Sequence, residues 1–299
     1  MRIITNTEIQ NLGITPSQCV EWVTEAFKLK YECQLPAKMS VHPQGNDFIT
    51  TMPCLLPNEY ETFGVKVVSR VAGRVPALKS DLMLFDSITG EVKAHISADW
   101  ITSMRTGAVA ALAIKSFRNS TSKIYSFLGL GNTAKATMKC LHAILPNEEY
   151  TVRLLRYKDQ AERFASEFAG LSNVTFEIVD DMATLVADAD VVVSCITDAN
   201  GILLEDDSLF KPGVLVVPVH TRGFQNCDLV FDKVFADDTA HVQGFRYFSQ
   251  FKQFGEIGNV LRGERAGRES DCERILSYNI GLGLHDVYFS HKIYEMLSR

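Results

Sequence analysis

The sequence predicts an α/β chain in which a doubly wound parallel sheet is joined to a second, α+β domain, and three observations predict it. From Lys123 onward short apolar runs alternate with helical patterns ("KIYSFLGL", "AKATMKCLHAIL", "YTVRLLRY", "DQAERFASEFA", then "VTFEIV", "DMATLVADA", "DVVVSCIT"), the rhythm of a parallel sheet covered on both faces. At the first strand-to-helix junction stands Gly129-x-Gly131-x-x-Ala134, a dinucleotide fingerprint with alanine in its third place, which makes the parallel sheet Rossmann-type. Between Met39 and about Val92, runs such as "FITTMP", "FGVKVVSRV" and "DLMLFD" are broken by Gly, Pro and Asn, the texture of a mostly antiparallel sheet.

The elements follow in order. Thr15, Pro16 and Gln18 form a capping box with proline at the first helical position, so a helix begins there, and Val20, Val23, Phe27 and Tyr31 make its buried stripe. After the β-rich stretch, "DWITSMRTGAVAALAIKSF" is a long alanine-rich helix leading into the next domain. The final segment, "DCERILSYNIGLGLHDVYFSHKIYEML", reads as helical and is expected to pack back against the bridging helix or the first domain. The expected division is therefore 1–117 with 275–299 as a substrate-binding and dimerisation domain, and 118–274 as the dinucleotide-binding domain.

Composition narrows the class. A chain of 299 residues, 46% hydrophobic, buries a large core, and a net charge of −6 without any long basic run gives no footprint for nucleic acid or an anionic membrane. Seven cysteines without a CxxC pair argue against a disulfide framework or a zinc site. The N-terminus lacks a signal-peptide core and no apolar run has membrane-spanning length, so the expected location is cytoplasmic.

The fingerprint works through its glycines: Gly129 permits the tight turn, Gly131 leaves room for a pyrophosphate, and Ala134 lets helix and strand pack closely, with Asn132 and Thr133 opening the helix between them. An acid ending the second strand would bond the ribose of NAD, but Arg156 stands there and suits the extra phosphate of NADP. Asp159 serves NAD if the register is shifted. Ser194 to Thr197 close the fourth strand, where the nicotinamide is expected.

In the first half, "MPCLLP" at Met52, "FGVKVV" around Lys66, "DSITGEVKA" from Asp86 and "ITSMRTGAVAALA" from Ile101 occur in that order, and "GEIGNVLRG" at Gly255 and "NIGLGLHD" at Asn279 follow later. Together they resemble the ornithine cyclodeaminase and mu-crystallin family over nearly the whole chain. The resemblance implies a homodimer joined through the first domain and an amino or imino acid whose α-carbon exchanges hydride with a nicotinamide. It implies that Lys66 lies near the substrate carboxylate and nitrogen, that Arg105 grips the carboxylate, that Lys38 fills a place often held by arginine, and that Thr106 serves the cofactor. Without it, Lys66 reads as an exposed strand lysine and Arg105 as a partner of Asp99.

One departure bears on substrate. After "VLVVPV" cyclodeaminases carry an aspartate where this chain has Arg222, beside His220 and Thr221; Asp228 lies further along. A cation there disfavours a second ammonium group and attracts a carboxylate. His220 is either an acid–base group or a packed or cofactor-facing residue. The expectation is an NAD(P)-dependent ketimine reductase or amino acid dehydrogenase, with a cyclodeaminase releasing ammonia, or a non-catalytic small-ligand-binding protein, as alternatives.

Overall fold

The computed structural model describes residues 1–197, 199, 201–220 and 224–298. The chain divides into two compact units, Met1–Arg105 with Leu282–Arg299, and Thr106–Gly281.

The first unit opens with β1 (Arg2–Ile4), α1 (Asn6–Asn11) and α2 (Pro16–Leu29). The capping box of α2 forms as expected: the Thr15 hydroxyl accepts from the Gln18 amide at 3.2 Å, and Gln18 Oε1 accepts from the Thr15 amide at 2.9 Å. Val20, Val23 and Phe27 are buried, but Tyr31 is 44% exposed. It falls in the 3-10 turn Lys30–Glu32, whose tighter winding takes the side chain off the helical stripe.

Strands β2 (Met39–Val41), β3 (Phe48–Leu55), β4 (Thr62–Arg70), β5 (Leu78–Asp86) and β6 (Val92–Ser97) complete a sheet ordered β1-β6-β5-β4-β3-β2 among the described residues. Its pairs are antiparallel except β1 with β6. Alternation along β4 turns Thr62, Gly64, Lys66 and Val68 to the buried face. Helix α3 (Asp99–Phe117) follows, and the division between the units falls inside it.

The second unit is a wound parallel sheet. It runs β7 (Ile124–Leu128), α4 (Asn132–Ile144), β8 (Tyr150–Leu155), α5 (Gln160–Glu167), β9 (Val174–Val179), α6 (Met182–Val186), β10 (Val191–Ser194) and β11 (Leu215–Pro218). Then come β12 (Lys233–Ala236), α7 (Thr239–Val242), β13 (Gly255–Glu256), α8 (Ile257–Leu261) and β14 (Ile275–Tyr278). The order is β13-β12-β14-β11-β10-β7-β8-β9, with every pair parallel. Strand order reverses between β7 and β10, which opens the crevice where a doubly wound sheet binds its ligand.

The start of the tail differs from its sequence reading. "ILSY" is not helical: it is β14, fully buried between β11 and β12. A four-residue apolar run carries no period to separate strand from helix, and only its neighbours in the sheet decide. The helix begins later, as α9 (Gly283–Ser298), which belongs to the first unit and packs on α2, β3, β4 and β5. Among the described residues no helix is long and apolar enough to cross a membrane.

Candidate active site

The fingerprint sits at the reversal of strand order. Gly129, directly after β7, has φ +77, and a Cβ there would lie 2.5 Å from the Ile196 amide nitrogen and 2.6 Å from the Cys195 carbonyl carbon. Only glycine fits both the turn and the approach to the loop after β10. Gly131 differs, because at φ −84 it needs no glycine for its backbone, and an added Cβ would meet nothing within 4 Å. The space before the first turn of α4 is thus open, and the unpaired amides of a helix start border it. Asn132 and Thr133 form that first turn, and Ala134 is fully buried beneath it. These features fit the pyrophosphate of a dinucleotide.

Arg156 follows β8 immediately, where its sequence position implies, and its guanidinium joins Glu162 and, at 2.6 Å, Asp180. Thr197 lies on the exposed bend beyond β10, and Thr106, half-buried on α3, opens the second unit. The glycine after Thr106 has a packing reason: a Cβ on Gly107 would come 2.4 Å from the Ala136 carbonyl carbon, so α3 and α4 touch backbone to backbone. Asp228 is buried and accepts a 2.5 Å hydrogen bond from the Tyr278 hydroxyl, and burial pushes its carboxyl up to about 7. Thr221 and Arg222 lie outside the described residues.

The first unit holds a cluster of charges. Lys66, fully buried on β4, places Nζ 2.7 Å from Asp286 Oδ2. Arg105, buried on α3, donates from Nε to Asp286 Oδ1 at 2.9 Å. Lys38, just before β2, is close enough for its charge to act on Lys66. The structure therefore brings together three of the cations singled out in the sequence, Lys66, Arg105 and Lys38. Lys66 is no exposed strand lysine, and Arg105 pairs with Asp286, while Asp99 accepts from the Ser80 amide at 2.7 Å.

Burial lowers the Lys66 amine to about 7, with the charges of Arg105 and Lys38 acting the same way and Asp286 opposing them. An amine so placed changes protonation near neutral pH, as a group that gives and takes a proton must.

Asp286 is the residue sequence reasoning missed. It stood inside a quoted motif, "NIGLGLHD", without a role. Its signal was an acid in the first turn of the last helix, beside the apolar run Val287, Tyr288 and Phe289, since a buried carboxylate requires a cation. Two glycines let α9 sit low enough to deliver it: a Cβ on Gly64 would lie 2.7 Å from Val287 Cγ2, and one on Gly283 would lie 2.9 Å from the Met52 carbonyl oxygen.

A Rossmann-type unit bearing a dinucleotide fingerprint, and a second unit bearing a buried lysine, arginine and aspartate, define a nucleotide-binding α/β protein of two units. The chain belongs to the ornithine cyclodeaminase/mu-crystallin family, whose model matches residues 2–299. It is 26% identical over 316 residues to a Δ1-pyrroline-2-carboxylate reductase of Bacillus cereus, covering 99% of this chain and 96% of that protein. Its fold is that of the Thermococcus litoralis Δ1-pyrroline-2-carboxylate reductase solved with NADH and L-proline, with a TM-score of 0.87, 21% identity, and 99% and 97% of the two chains covered. An archaeal alanine dehydrogenase dimer with bound NAD matches with a TM-score of 0.85 at 22% identity, over 100% of this chain and 96% of that one.

Proposed function

We propose that this chain is an NAD(P)-dependent oxidoreductase acting at the α-carbon of a small imino or amino acid, working as an imino acid reductase. The observation that carries the reading is the buried contact of Lys66 and Arg105 with one carboxylate, Asp286. One unit supplies acid–base and carboxylate-binding groups, and the other supplies the dinucleotide fingerprint. The bound nicotinamide supplies the hydride.

The remaining steps fall to the chain. Arg105 and Lys38 bind the substrate carboxylate, which fixes the α-carbon. Lys66 gives a proton to the imine nitrogen as the carbon becomes saturated, and takes it back in the oxidative direction. Asp286 holds Lys66 and Arg105 in place and balances part of their charge, leaving the cluster net positive and suited to an anionic substrate. The named relatives, reductases of a cyclic imino acid, support this class.

For the cofactor, Arg156 supports NADP(H). Its partners Glu162 and Asp180 are about half and three-quarters exposed, and such surface pairs are worth roughly 0–1 kcal/mol, so a bidentate phosphate contact outcompetes them. The assembly is a homodimer. The face of the first sheet opposite α9 carries Phe63, Val65, Val67, Met83 and Phe85, with Ile49 and Val67 more than a third exposed, and a second copy covers such a face. The dimer of the alanine dehydrogenase neighbour supports this.

The test is incubation with Δ1-pyrroline-2-carboxylate and NADPH or NADH, following reduced nicotinamide and, with ornithine, ammonia release. Stoichiometric oxidation of the cofactor is expected. Ammonia release from ornithine without net cofactor change would make the protein a cyclodeaminase, and saturable ligand binding without turnover would make it a binding protein.

A further inference from the structure

Beyond the fingerprint, one polar pair in the second unit has no part in the chemistry described. Ser194, the last residue of β10, is fully buried, and its Oγ lies 2.5 Å from Nε2 of His220. His220 follows β11 by two residues and is half-buried. Strands β10 and β11 are parallel neighbours in register from Val191↔Leu215 to Ser194↔Pro218, so the pair spans the carboxyl ends of two adjacent strands. The same end of β10 supplies Cys195 and Ile196, against which Gly129 packs.

The place of the pair in the sheet decides its meaning. A doubly wound sheet binds a dinucleotide across the crevice, one mononucleotide on each half. The half β7-β8-β9 carries Arg156 at the end of its second strand, which is the adenosine side. The half that begins with β10 and β11 is then the nicotinamide side, and Ser194 and His220 stand at its mouth. A buried serine bonded to a half-buried imidazole fixes the ring at an edge where a ligand's polar group needs a defined partner.

We infer that the Ser194–His220 pair seats the nicotinamide, with Ser194 holding the imidazole so that its edge meets the carboxamide of the ring. His220 is thus a positioning residue for the cofactor, reached through neither the pyrophosphate site nor the Lys66 cluster. This assignment rests on the dinucleotide reading of the fingerprint, and the experiment separates the two.

Binding of NADH and NADPH is compared with that of ADP-ribose and 2′-phospho-ADP-ribose, which lack the nicotinamide, for the unmodified protein, His220→Ala, His220→Gln and Ser194→Ala. Loss of one neutral hydrogen bond weakens binding by about 3- to 10-fold. His220→Ala is expected to show that loss for the nicotinamide-bearing probes alone, with a smaller loss for Ser194→Ala and partial recovery in His220→Gln. The emission of bound NADH should move towards that of the free form in the same order. Unchanged ADP-ribose binding serves as the control for folding. Equal losses for both kinds of probe, or none for either, would overturn the inference. If the unmodified protein bound none of the four, the dinucleotide reading itself would fail and take the inference with it.

Discussion

Lys66 and Asp286 meet at 2.7 Å with neither side chain exposed to solvent, one from the middle of β4 and the other from the first turn of α9. Since Arg105 takes the other carboxylate oxygen, the aspartate is shared. In Asp286→Asn the two cations lose the buried counter-charge they share, the amine of Lys66 falls lower still, and Arg105 loses this charged partner. Turnover should fall at least 100-fold, because breaking a buried charge pair typically costs about 3–5 kcal/mol. In the reductive direction, where Lys66 gives the proton, the alkaline limb of the rate–pH profile should move to lower pH. A profile unmoved in the residual activity would show that Lys66 is not the group titrating.

The same lysine links stability to pH. Its folded value, about 7, lies below the ordinary 10.5, so between these limits the unfolded chain holds a proton the folded chain has released. Stability then rises as pH climbs from about 7 towards 10.5, and the burden at low pH is on the order of 5 kcal/mol. Lys66→Met removes that burden while leaving Arg105 to pair with Asp286. Denaturant unfolding at pH 6 and pH 9 should show a smaller pH difference in the variant than in the unmodified protein; an identical difference would refute the linkage.

Two glycines, one inside α3 and one at the start of α4, should respond in opposite ways. Gly107→Ala forces atoms to within 2.4 Å of the α4 backbone and should lower stability by about 3 kcal/mol, seen as a reduced Tm. Gly131→Ala meets nothing, so Tm should hold while dinucleotide affinity drops as the methyl fills the pyrophosphate's space. Calorimetry on both variants decides, and a Gly131→Ala protein with full affinity would remove that site from the fingerprint.

Arg156→Asp should reverse the preference between NADP(H) and NAD(H), since the new carboxylate repels the 2′-phosphate and bonds a ribose hydroxyl. Titration calorimetry with both cofactors is the check. Tighter NAD(H) binding by the unmodified protein, unaltered by the substitution, would contradict the NADP(H) assignment.

Val67→Lys places a charge in the middle of the sheet face opposite α9, where Val67 is 37% exposed. Sedimentation should show a dimer for the unmodified protein and a larger monomer fraction for the variant. A monomer in both at micromolar concentration would count against the dimer.

Where the sequence was legible, the signals were local. The capping box at Thr15 and the Gly129 turn each complete themselves within a few residues, and the alternation of "TFGVKVVSR" alone places Lys66 on one face with Gly64. Asp286 and β14 were not legible for the converse reason. The aspartate acquires its role from an arginine 181 residues away, and "ILSY" becomes a strand because β11 and β12 flank it. Tyr31 failed on a smaller scale, where a change of helical winding outweighed an unbroken spacing.

The return of α9 to the first unit has a consequence for how the protein is made. A ribosome delivers β1 to β6, Lys66 among them, and then the whole Rossmann-type unit before Asp286 emerges. Until then the buried face of the first sheet lacks the helix that covers it, and the amine lacks its counter-ion. The second unit, continuous in the chain, can fold while translation proceeds, whereas the first must wait for its last segment. The fingerprint turn at Gly129 can therefore form in the nascent chain before the contact between Lys66 and Asp286 does.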